Sequence, residues 1–258
     1  MLRFCCLGSG SDGNALVVES SDGLFPVRVL VDNGFSLREL DRRLQRAHLT
    51  PDDIDALFVT HEHGDHAGGV EMLALQRRLP VFASRGTAAA ARLDAVGIDW
   101  QPMEAAREVC VGALTVRPYA MPHDAAEPLQ FVFSDGAARL GLLTDIGVPT
   151  PAVAAELTGL DTLLLECNHD PQLLRLSDYP VFVKERIAGG LGHLSNDQAS
   201  SLLRRIAHRA LKRVVAMHLS RRNNRPQLAR AALAAALDCS SEDILVANQD
   251  EGLGWMTA

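Results

Sequence analysis

The first quarter of the chain consists of short apolar segments separated by turns rich in Gly, Asp and Ser, a pattern that is typical of consecutive β-strands. Three such strands are predicted at Leu2–Leu7, Ala15–Glu19 and Val27–Val31. A run of leucines at helical spacing follows, with Ser36 as its N-cap. A further strand is predicted at Ala56–Thr60, directly before a histidine-rich segment.

The rest of the chain alternates between helical and extended patterns. Helices are predicted at Val70–Leu79, Thr87–Val96, Pro149–Leu157, Asp197–Ala210 and Pro226–Leu237. Strands are predicted at Val81–Ala83, Leu114–Tyr119, Gln130–Phe133, Arg139–Thr144, Thr162–Glu166, Val214–Met217, Ile244–Val246 and Gly254–Met256. Strands and helices mixed in this order predict an α/β sandwich with the helices outside the sheets.

Length and composition favour one domain over residues 1–258, because 258 residues with 47% hydrophobic side chains can bury one large core. The sequence contains no run of about 18 apolar residues, and the segment from Met1 to Phe4 is too short and polar for a signal peptide. We therefore expect a cytoplasmic protein that does not contact a membrane. The composition leaves the oligomeric state open.

The segment from His61 to His66 reads H-E-H-G-D-H and follows the predicted strand Ala56–Thr60, so it is expected on a loop at a strand end. Three imidazoles and a carboxylate offer nitrogen and oxygen ligands that suit zinc or manganese, whereas a magnesium site would be dominated by oxygen. The first two histidines project to one side of an extended segment, and a turn at Gly64 brings Asp65 and the last histidine to a second ion. The alternative is a chance cluster of surface histidines.

The formal net charge of −7 argues against a protein that coats nucleic acid by bulk electrostatics, but the charge is unevenly spread. Between Ser195 and Ala232 the only acidic residue is Asp197. The same segment contains nine basic residues, which are Arg204, Arg205, Arg209, Lys212, Arg213, Arg221, Arg222, Arg225 and Arg230. A cationic face beside a metal site would suit a polyanionic substrate. The alternative, which a charge run alone favours, is a solvated helix face.

The motif T-H-E-H-G-D-H at residues 60–66 resembles the T-H-x-H-x-D-H signature of the metallo-β-lactamase superfamily. The resemblance continues in order along the chain, at Asp32, His123, Asp145 and His218. It implies an αββα sandwich, in which two mixed β-sheets carry helices on their outer faces. Asp32 matches an aspartate that supports the metal-binding histidines without binding the metal itself.

The resemblance further implies two divalent ions, zinc or manganese. The ligands of one ion would be His61, His63, His123 and Asp145, and those of the other would be Asp65, His66, Asp145 and His218. A hydroxide held between the two ions would be a nucleophile at neutral pH, and Asp65 could also orient it. Taken singly, three of these residues have simpler explanations: a loop histidine at 123, a turn-forming aspartate at 145 and a half-buried histidine at 218.

Three further segments, at residues 7–15, 165–170 and 192–196, resemble the YycJ/WalJ (VicX-like) branch of the superfamily. The residues that follow the last metal histidine also resemble that branch's H-L-S-x-x-N-N segment. Members of the branch are regarded as 5'-exonucleases that act on DNA and are related to the tRNA 3'-processing nucleases. The glycines of the first segment either bind a phosphate or, as we favour, form a tight hairpin that brings Ser11 or Asn14 near the site.

The same resemblance implies site residues beyond the metal ligands. His193 would either be the general acid that protonates the leaving oxygen, oriented by Glu166, or contact the phosphate together with His169. Contacts to the substrate would come from four residues, which are His169, Ser220, Arg221 and Asn223. Alternatively, the segment around His193 is only a loop whose Ser195 or Asn196 caps the following helix.

Together these features predict a binuclear metal-dependent phosphodiesterase, a 5'–3' exodeoxyribonuclease whose partner is DNA with a free end. The chain lacks the inserted domain and the protruding arm with which relatives grip RNA, so a single-stranded or frayed end is expected to bind to the core. The alternative is a hydrolase of small esters, thioesters or lactams, because one fold hosts several chemistries. A third hypothesis is a regulatory module with a structural metal, against which Asp65 argues.

Overall fold

The computed structural model describes residues 1–21, 23, 25–94 and 97–258, and in this part of the chain two seven-stranded sheets are present. The first sheet contains β1 (Leu2–Gly8), β2 (Ala15–Ser21), β3 (Pro26–Val31), β4 (Ala56–Phe58), β5 (Val81–Ala83), β6 (Trp100–Pro102) and β14 (Leu253–Thr257). The spatial order is β14-β1-β2-β3-β4-β5-β6. Neighbouring strands are antiparallel from β14 to β3 and parallel from β3 to β6.

The second sheet contains β7 (Val109–Val111), β8 (Leu114–Ala120), β9 (Leu129–Ser134), β10 (Arg139–Leu143), β11 (Thr162–Glu166), β12 (Arg213–Met217) and β13 (Leu245–Val246). The spatial order is β13-β12-β11-β10-β9-β8-β7, with parallel pairing from β10 to β13. The parallel strands of each sheet therefore end at a common edge. Ligands of open α/β sheets bind at such carboxyl edges.

Helices cover the outer faces of both sheets. In the described part of the chain they are α1 (Leu37–Arg46), α2 (Gly64–Ala67), α3 (Val70–Arg77), α4 (Arg85–Ala90), α5 (Pro151–Glu156), α6 (Pro171–Leu176), α7 (Val181–Ala188), α8 (Asn196–Ile206) and α9 (Pro226–Leu237), with 3₁₀ turns at Pro51–Asp53 and Ser241–Asp243. Buried residues of α1, α3 and α4 pack on the first sheet, and those of α5, α8 and α9 pack on the second. No described helix is long and apolar enough to cross a membrane.

Successive side chains of the central strands pack into different hydrophobic cores. In β11, Leu164 packs between the two sheets, whereas Leu163 and Leu165 face the helices. In β3, Val29 likewise faces the other sheet and Leu30 faces the helices. Because side chains alternate along a strand and both faces are covered, these strands are apolar throughout. The predicted αββα sandwich, with two mixed sheets inside and helices outside, is confirmed.

Most predicted boundaries are close to those observed. They coincide at Val81–Ala83, Thr162–Glu166 and Pro226–Leu237, and the other predicted strands differ by at most two residues at either end. The helix predicted from Val70 ends two residues early, because Arg78 takes a left-handed backbone (φ 54°) that a right-handed helix cannot continue. Helices α5 and α8 are also shorter than predicted.

The sequence prediction missed five strands and α-helices and misplaced one helix; one of the five is α2, within the segment that was predicted as a loop. Strands β6 and β7 have only three residues each, too short for a periodic pattern. Helices α6 and α7 were also not predicted, although Asp170 accepts N-cap hydrogen bonds at the start of α6 and Pro171 follows it. The helix predicted up to Val96 ends at Ala90, and Val96 itself lies outside the described residues.

Candidate metal centre and active-site pocket

Asp32, Asp145 and His218 each follow a strand and take a left-handed backbone conformation, with φ of 59°, 60° and 53°. This region is uncommon for residues other than glycine and stores strain, although Asp and His adopt it more often than most. The three turns follow β3, β10 and β12 at the carboxyl edge of the sandwich. They turn the side chains toward a common site, so that Oδ1 of Asp145 lies 3.5 Å from Nε2 of His218.

The histidine-rich segment follows β4 and begins with His61, which is fully buried. Nε2 of His61 and Nε2 of His123 lie 3.1 Å and 3.2 Å from the same atom, Nδ1 of His63. Asp145 joins this group, because its ligand atom and those of His61 and His66 all lie within 4.8 Å of one another. Three imidazole nitrogens therefore meet in one place, and a carboxylate oxygen lies beside one of them, which are ligand types that a metal ion takes together.

Helix α2 carries Asp65 and His66 into a second group. Oδ2 of Asp65 lies 3.5 Å from Nε2 of His66 and 3.6 Å from Nε2 of His218. Oδ2 of Asp145 lies 3.2 Å from Nε2 of His66, so this carboxylate is placed between the two groups. The structure thus brings together all seven residues that the sequence predicted as metal ligands.

Unpaired polar atoms test whether metal ions fit these groups. Among the described residues, the buried atoms Oδ2 of Asp145 and Nε2 of His218 have no hydrogen-bond partner of acceptable geometry, although each lies close to another potential ligand atom. An unpaired buried polar group costs about 1–3 kcal/mol, which a bound cation would offset. The buried histidines and aspartates are therefore consistent with a binuclear metal site, and their nitrogen and oxygen atoms suit zinc or manganese.

The pKa shifts of the aspartates and histidines in these groups also agree with bound metal ions. Burial opposes ionisation of Asp65 and Asp145, but the neighbouring histidines hold the pKa of both carboxyl groups below its usual range. Burial likewise opposes protonation of His218, yet Asp145 and its other acidic neighbours raise the pKa of His218 to about 10. Burial and the adjacent histidines lower the pKa of His61. The buried Asp145 and the partly buried Asp65 thus place negative charge at one site, which bound divalent cations would compensate.

Asp32 supports the histidine segment from behind. Its Oδ1 accepts a hydrogen bond from the backbone N–H of Thr60 and its Oδ2 accepts one from Thr60 Oγ1, both at 2.8 Å. Oδ2 also lies 2.8 Å from Nδ1 of His66, and since a carboxylate only accepts, Nδ1 carries the proton and Nε2 remains for the metal groups. From the β1–β2 hairpin, Asn14 places its side chain 3.0 Å from Nε2 of His66 and donates its backbone N–H to Asp65 O.

We expect Asp32→Asn to weaken metal binding by roughly 10- to 100-fold, because the amide no longer fixes the proton on Nδ1 of His66. Competition with a chromophoric chelator measures this affinity. Asp161→Asn is the matched control, since Asp161 accepts a backbone hydrogen bond from Arg139 at the opposite end of the sheet. Equal metal affinity in the two variants would contradict the supporting role of Asp32.

Glu166 is the last residue of β11 and is fully buried. Its Oε2 accepts hydrogen bonds from the backbone N–H groups of Ile146 (3.0 Å) and Leu194 (3.1 Å), and its Oε1 accepts one from Nδ1 of His193 (2.8 Å). Both oxygens are therefore satisfied by protein donors, and Nε2 is the nitrogen of His193 that remains for a ligand. Burial disfavours the charged imidazole, but Glu166 and Asp145 raise the pKa of His193 above its ordinary value.

The metal groups open into a pocket of about 350 Å³, in whose wall His193 and the end of α7 lie. The α7 residue Arg186 lines this pocket and pairs with Asp124 at 2.8 Å, directly after the predicted ligand His123. Two glycines allow α7 and the segment after it to pack closely against the residues around the pocket. A Cβ at Gly147 would lie 2.3 Å from the backbone just after α7, and a Cβ at Gly192 would lie 2.1 Å from the Arg186 carbonyl oxygen.

The four residues predicted to contact the substrate do not line this pocket. His169 and Asn223 are buried, and burial lowers the pKa of His169 to about 4. Nδ1 of His169 and both polar side-chain atoms of Asn223 have no hydrogen-bond partner among the described residues. Ser220 and Arg221 line a separate cavity of about 370 Å³, where Arg221 pairs with Asp250 at 2.6 Å. Substrate contact by these four residues stays a prediction.

The nine basic residues between Ser195 and Ala232 do not form a single face beside the metal centre. Strand β12 ends at that centre, so the basic residues before it and at its first position lie toward the opposite edge of the sheet. These are Arg204, Arg205, Arg209, Lys212 and Arg213. Among the described residues of the run, Arg221, Arg222 and Arg225 follow closely after the carboxyl end of β12. The expectation of one cationic face is therefore wrong, because a strand passes through the middle of the run.

Sequence reasoning also missed Arg186 and Asp124 in the pocket wall. Asp124 was visible only as the neighbour of His123, and Arg186 lies in a segment where no element was predicted. The N-cap signal at Asp170 would have revealed the helix before α7. No local signal shows which side of α7 faces the pocket, because that depends on how the helix packs against the loop after β10.

Two mixed sheets between outer helices, with histidines and aspartates gathered at the strand ends, define a hydrolase of the metallo-β-lactamase fold. A family model described as "Beta-lactamase superfamily domain" matches residues 27–219. The chain belongs to this family. The resemblance that the sequence motif predicted is thereby confirmed.

Comparison with individual proteins shows which members of the family this chain resembles. The chain is 32% identical over 240 residues to "Exodeoxyribonuclease YycJ" of Bacillus anthracis. This alignment covers 92% of this chain and 89% of that protein. The chain is also 32% identical over 249 residues to "Exodeoxyribonuclease WalJ" of Streptococcus pneumoniae, with 90% and 86% covered. The solved structure of the metallo-β-lactamase fold protein YhfI from Bacillus subtilis matches with a TM-score of 0.76 at 14% identity, covering 99% of this chain and 98% of that one. The predicted relationship to YycJ and WalJ is confirmed, and the likeness to YhfI shows the fold.

Proposed function

We propose that this protein is a binuclear metal-dependent phosphodiesterase, and specifically a 5'–3' exodeoxyribonuclease. The observation that carries the proposal is His193 in the wall of the pocket beside the metal groups, with its Nδ1 hydrogen-bonded to the buried Glu166. Hydrolysis of a phosphodiester in DNA breaks a P–O bond and releases a sugar oxygen. That oxygen is a poor leaving group as an alkoxide and leaves more readily when it is protonated. A positioned imidazole beside the metal groups meets that requirement.

Seven side chains would hold the two ions. As the sequence motif implies, His61, His63, His123 and Asp145 would hold one ion, and Asp65, His66, Asp145 and His218 would hold the other. In support, the ligand atoms of His61, His63 and His123 lie within 4.8 Å of one another, as do those of Asp65, His66 and His218. Divalent ions bound there would lower the pKa of water to give a nucleophile at neutral pH and would neutralise charge on the phosphate. Asp65 has one of the more accessible side chains of the set, with 24% exposed, so it can also orient the attacking water.

His193 would supply the proton for the leaving oxygen. Its Nδ1 is occupied by Glu166, which leaves Nε2 as the donor, and, against the effect of burial, Glu166 raises the pKa of the imidazole, as a proton donor requires. The imidazole is 23% exposed, so a bound substrate can reach it. Glu166 would keep the ring in place and would stabilise its positive charge before the proton is transferred.

The relatives support DNA as the substrate and the exonuclease reaction, since two proteins 32% identical to this chain carry the name exodeoxyribonuclease. Positive charge near the site agrees with a phosphate backbone. Arg186 lines the pocket, and Arg221, Arg222 and Arg225 follow the strand that ends at His218.

Digestion of end-labelled oligonucleotides tests the proposal. DNA and RNA strands labelled at the 5' or the 3' end are incubated with protein reconstituted with zinc or manganese, and Asp65→Ala is the control. We expect stepwise loss of nucleotides from the 5' end of DNA that is absent in Asp65→Ala. Intact oligonucleotides together with hydrolysis of a simple ester, thioester or lactam would replace the nuclease by the small-molecule hydrolase.

A further inference from the structure

Exposed apolar side chains are concentrated in the stretch of chain around α7, whose residues Arg186 and Ile187 line the pocket. Ten large hydrophobic residues are exposed in the described part of the chain, and four of them fall within one short stretch: Leu176 (70%), Val181 (69%), Phe182 (70%) and Leu191 (54%). Helix α7 lies in this stretch and contains no buried residue. Apolar surface that is left in water next to a binding pocket marks a surface that a ligand covers.

Phe182 is the aromatic member of this group and lies on the same helix as the pocket residue Arg186. It precedes Arg186 by four residues on α7, so the two side chains share one face, with Cβ atoms about 5–6 Å apart. Arg186 lines the pocket and reaches Asp124 at 2.8 Å. An exposed ring therefore lies one helical turn from a cation in the pocket wall.

The position of α7 is fixed relative to the catalytic groups. The backbone N–H of His193 donates to the carbonyl oxygen of Ile187 at 2.8 Å, and His123 Nδ1 lies 3.0 Å from the carbonyl oxygen of Leu191 just after the helix. These contacts tie the end of α7 to a predicted general acid and a predicted metal ligand. The exposed ring is thus held at a set distance from the reacting groups, as a binding platform requires.

Single-stranded DNA is the occupant that fits this surface. An aromatic ring stacks on a base of any sequence, and a guanidinium group beside it pairs with a phosphate. Any strand whose end enters the pocket must cross its rim. A second copy of this chain seated on Phe182 and Leu191 would instead cover the pocket mouth, which contradicts access of a polymeric substrate.

We propose that Phe182 is a stacking platform for a base near the end of a single-stranded DNA substrate, with Arg186 contacting the adjacent phosphate. The inference rests on the proposed nuclease function and names how that site holds its substrate. Stacking of one base on an aromatic ring changes affinity by about tenfold.

Binding and digestion of 3'-labelled single-stranded DNA by the full chain test this proposal. Affinity is measured by fluorescence anisotropy in metal-loaded protein carrying His193→Ala, which slows digestion without removing a metal ligand, and kcat and KM are measured in metal-loaded protein without that change. The variants are Phe182→Ala and Phe182→Trp. Phe25→Ala is the matched control, because Phe25 is 78% exposed and lies at the far end of β3 from Asp32. Substrates with one abasic nucleotide at successive positions from the 5' end locate the stacked base.

We expect Phe182→Ala to weaken DNA binding and raise KM about tenfold, while Phe182→Trp binds as well as the unsubstituted protein. One abasic position should weaken binding to the unsubstituted protein by the same factor and have no further effect in Phe182→Ala. The platform is refuted if Phe182→Ala binds no more weakly than Phe25→Ala, or if every abasic substrate loses affinity equally in both proteins. A dimer in sedimentation velocity that Phe182→Ala dissociates would also overturn it and assign the surface to a second copy.

The two proposals fail in different ways. Phe182-dependent binding of DNA without any digestion would remove the nuclease function and leave the platform in place. Digestion from the 5' end with unchanged binding in Phe182→Ala would leave the nuclease function and remove the platform. Absence of both binding and digestion would refute both.

Discussion

His193→Ala is expected to lower kcat for DNA by about 10²- to 10⁴-fold, which is the usual contribution of a positioned general acid. The loss should be confined to substrates whose leaving oxygen needs a proton. For a phosphodiester that releases 4-nitrophenolate, a stable anion, the same substitution should change kcat much less. The measurement compares kcat for DNA with kcat for the aryl phosphodiester in the unsubstituted and substituted proteins.

Metal content distinguishes this role from a ligand role. His193 and Glu166 lie with Asp145 and His218 in a group whose ligand atoms are all within 4.8 Å of one another, so the same residues are also able to bind an ion. If His193 is the general acid, His193→Ala retains two metal ions per chain by atomic absorption. Loss of an ion, with equal losses of kcat on both substrates, would make His193 a ligand instead.

His63→Ala is expected to remove turnover on every substrate while the protein stays folded. Nδ1 of His63 is the atom that both His61 and His123 approach, so its removal opens the first metal group. The loss should exceed the roughly 10- to 100-fold that follows removal of an outer partner of a metal ligand. The side chain is 31% exposed, so its loss leaves no closed cavity in the core.

Thermal unfolding of metal-free protein checks the second half of this prediction. The midpoint for His63→Ala should stay within about 2 °C of that of the unsubstituted protein, as for other partly exposed substitutions. His208→Ala is the matched control, because His208 is also partly exposed and bonds to Leu160 at the far end of α8. Turnover should survive in that control. Full activity in His63→Ala, or a large fall in its unfolding midpoint, would contradict the assignment.

The sequence by itself determined the architecture and the ligand types. Short apolar segments such as Thr162–Glu166 predicted strands, and the order of strands and helices predicted the sandwich with helices outside the sheets. Four predicted ligands lie within the six residues from His61 to His66. Their proximity could therefore be predicted from this segment alone. The resemblance in order along the chain then added Asp32, Asp145 and His218, which the structure brings to the same edge.

Only the tertiary structure decided which residues surround those ligands. Arg186 and Phe182 lie on a helix without a motif, and their positions depend on close packing of Gly147 against the backbone after α7. Strand β12 lies in the middle of the basic run after Ser195. Because a strand of five residues separates the residues at its two ends by about 13 Å, the basic residues on either side of it lie at opposite edges of the sheet. Sequence order records neighbours along the chain, whereas a pocket wall is assembled from distant segments whose mutual orientation is set by packing.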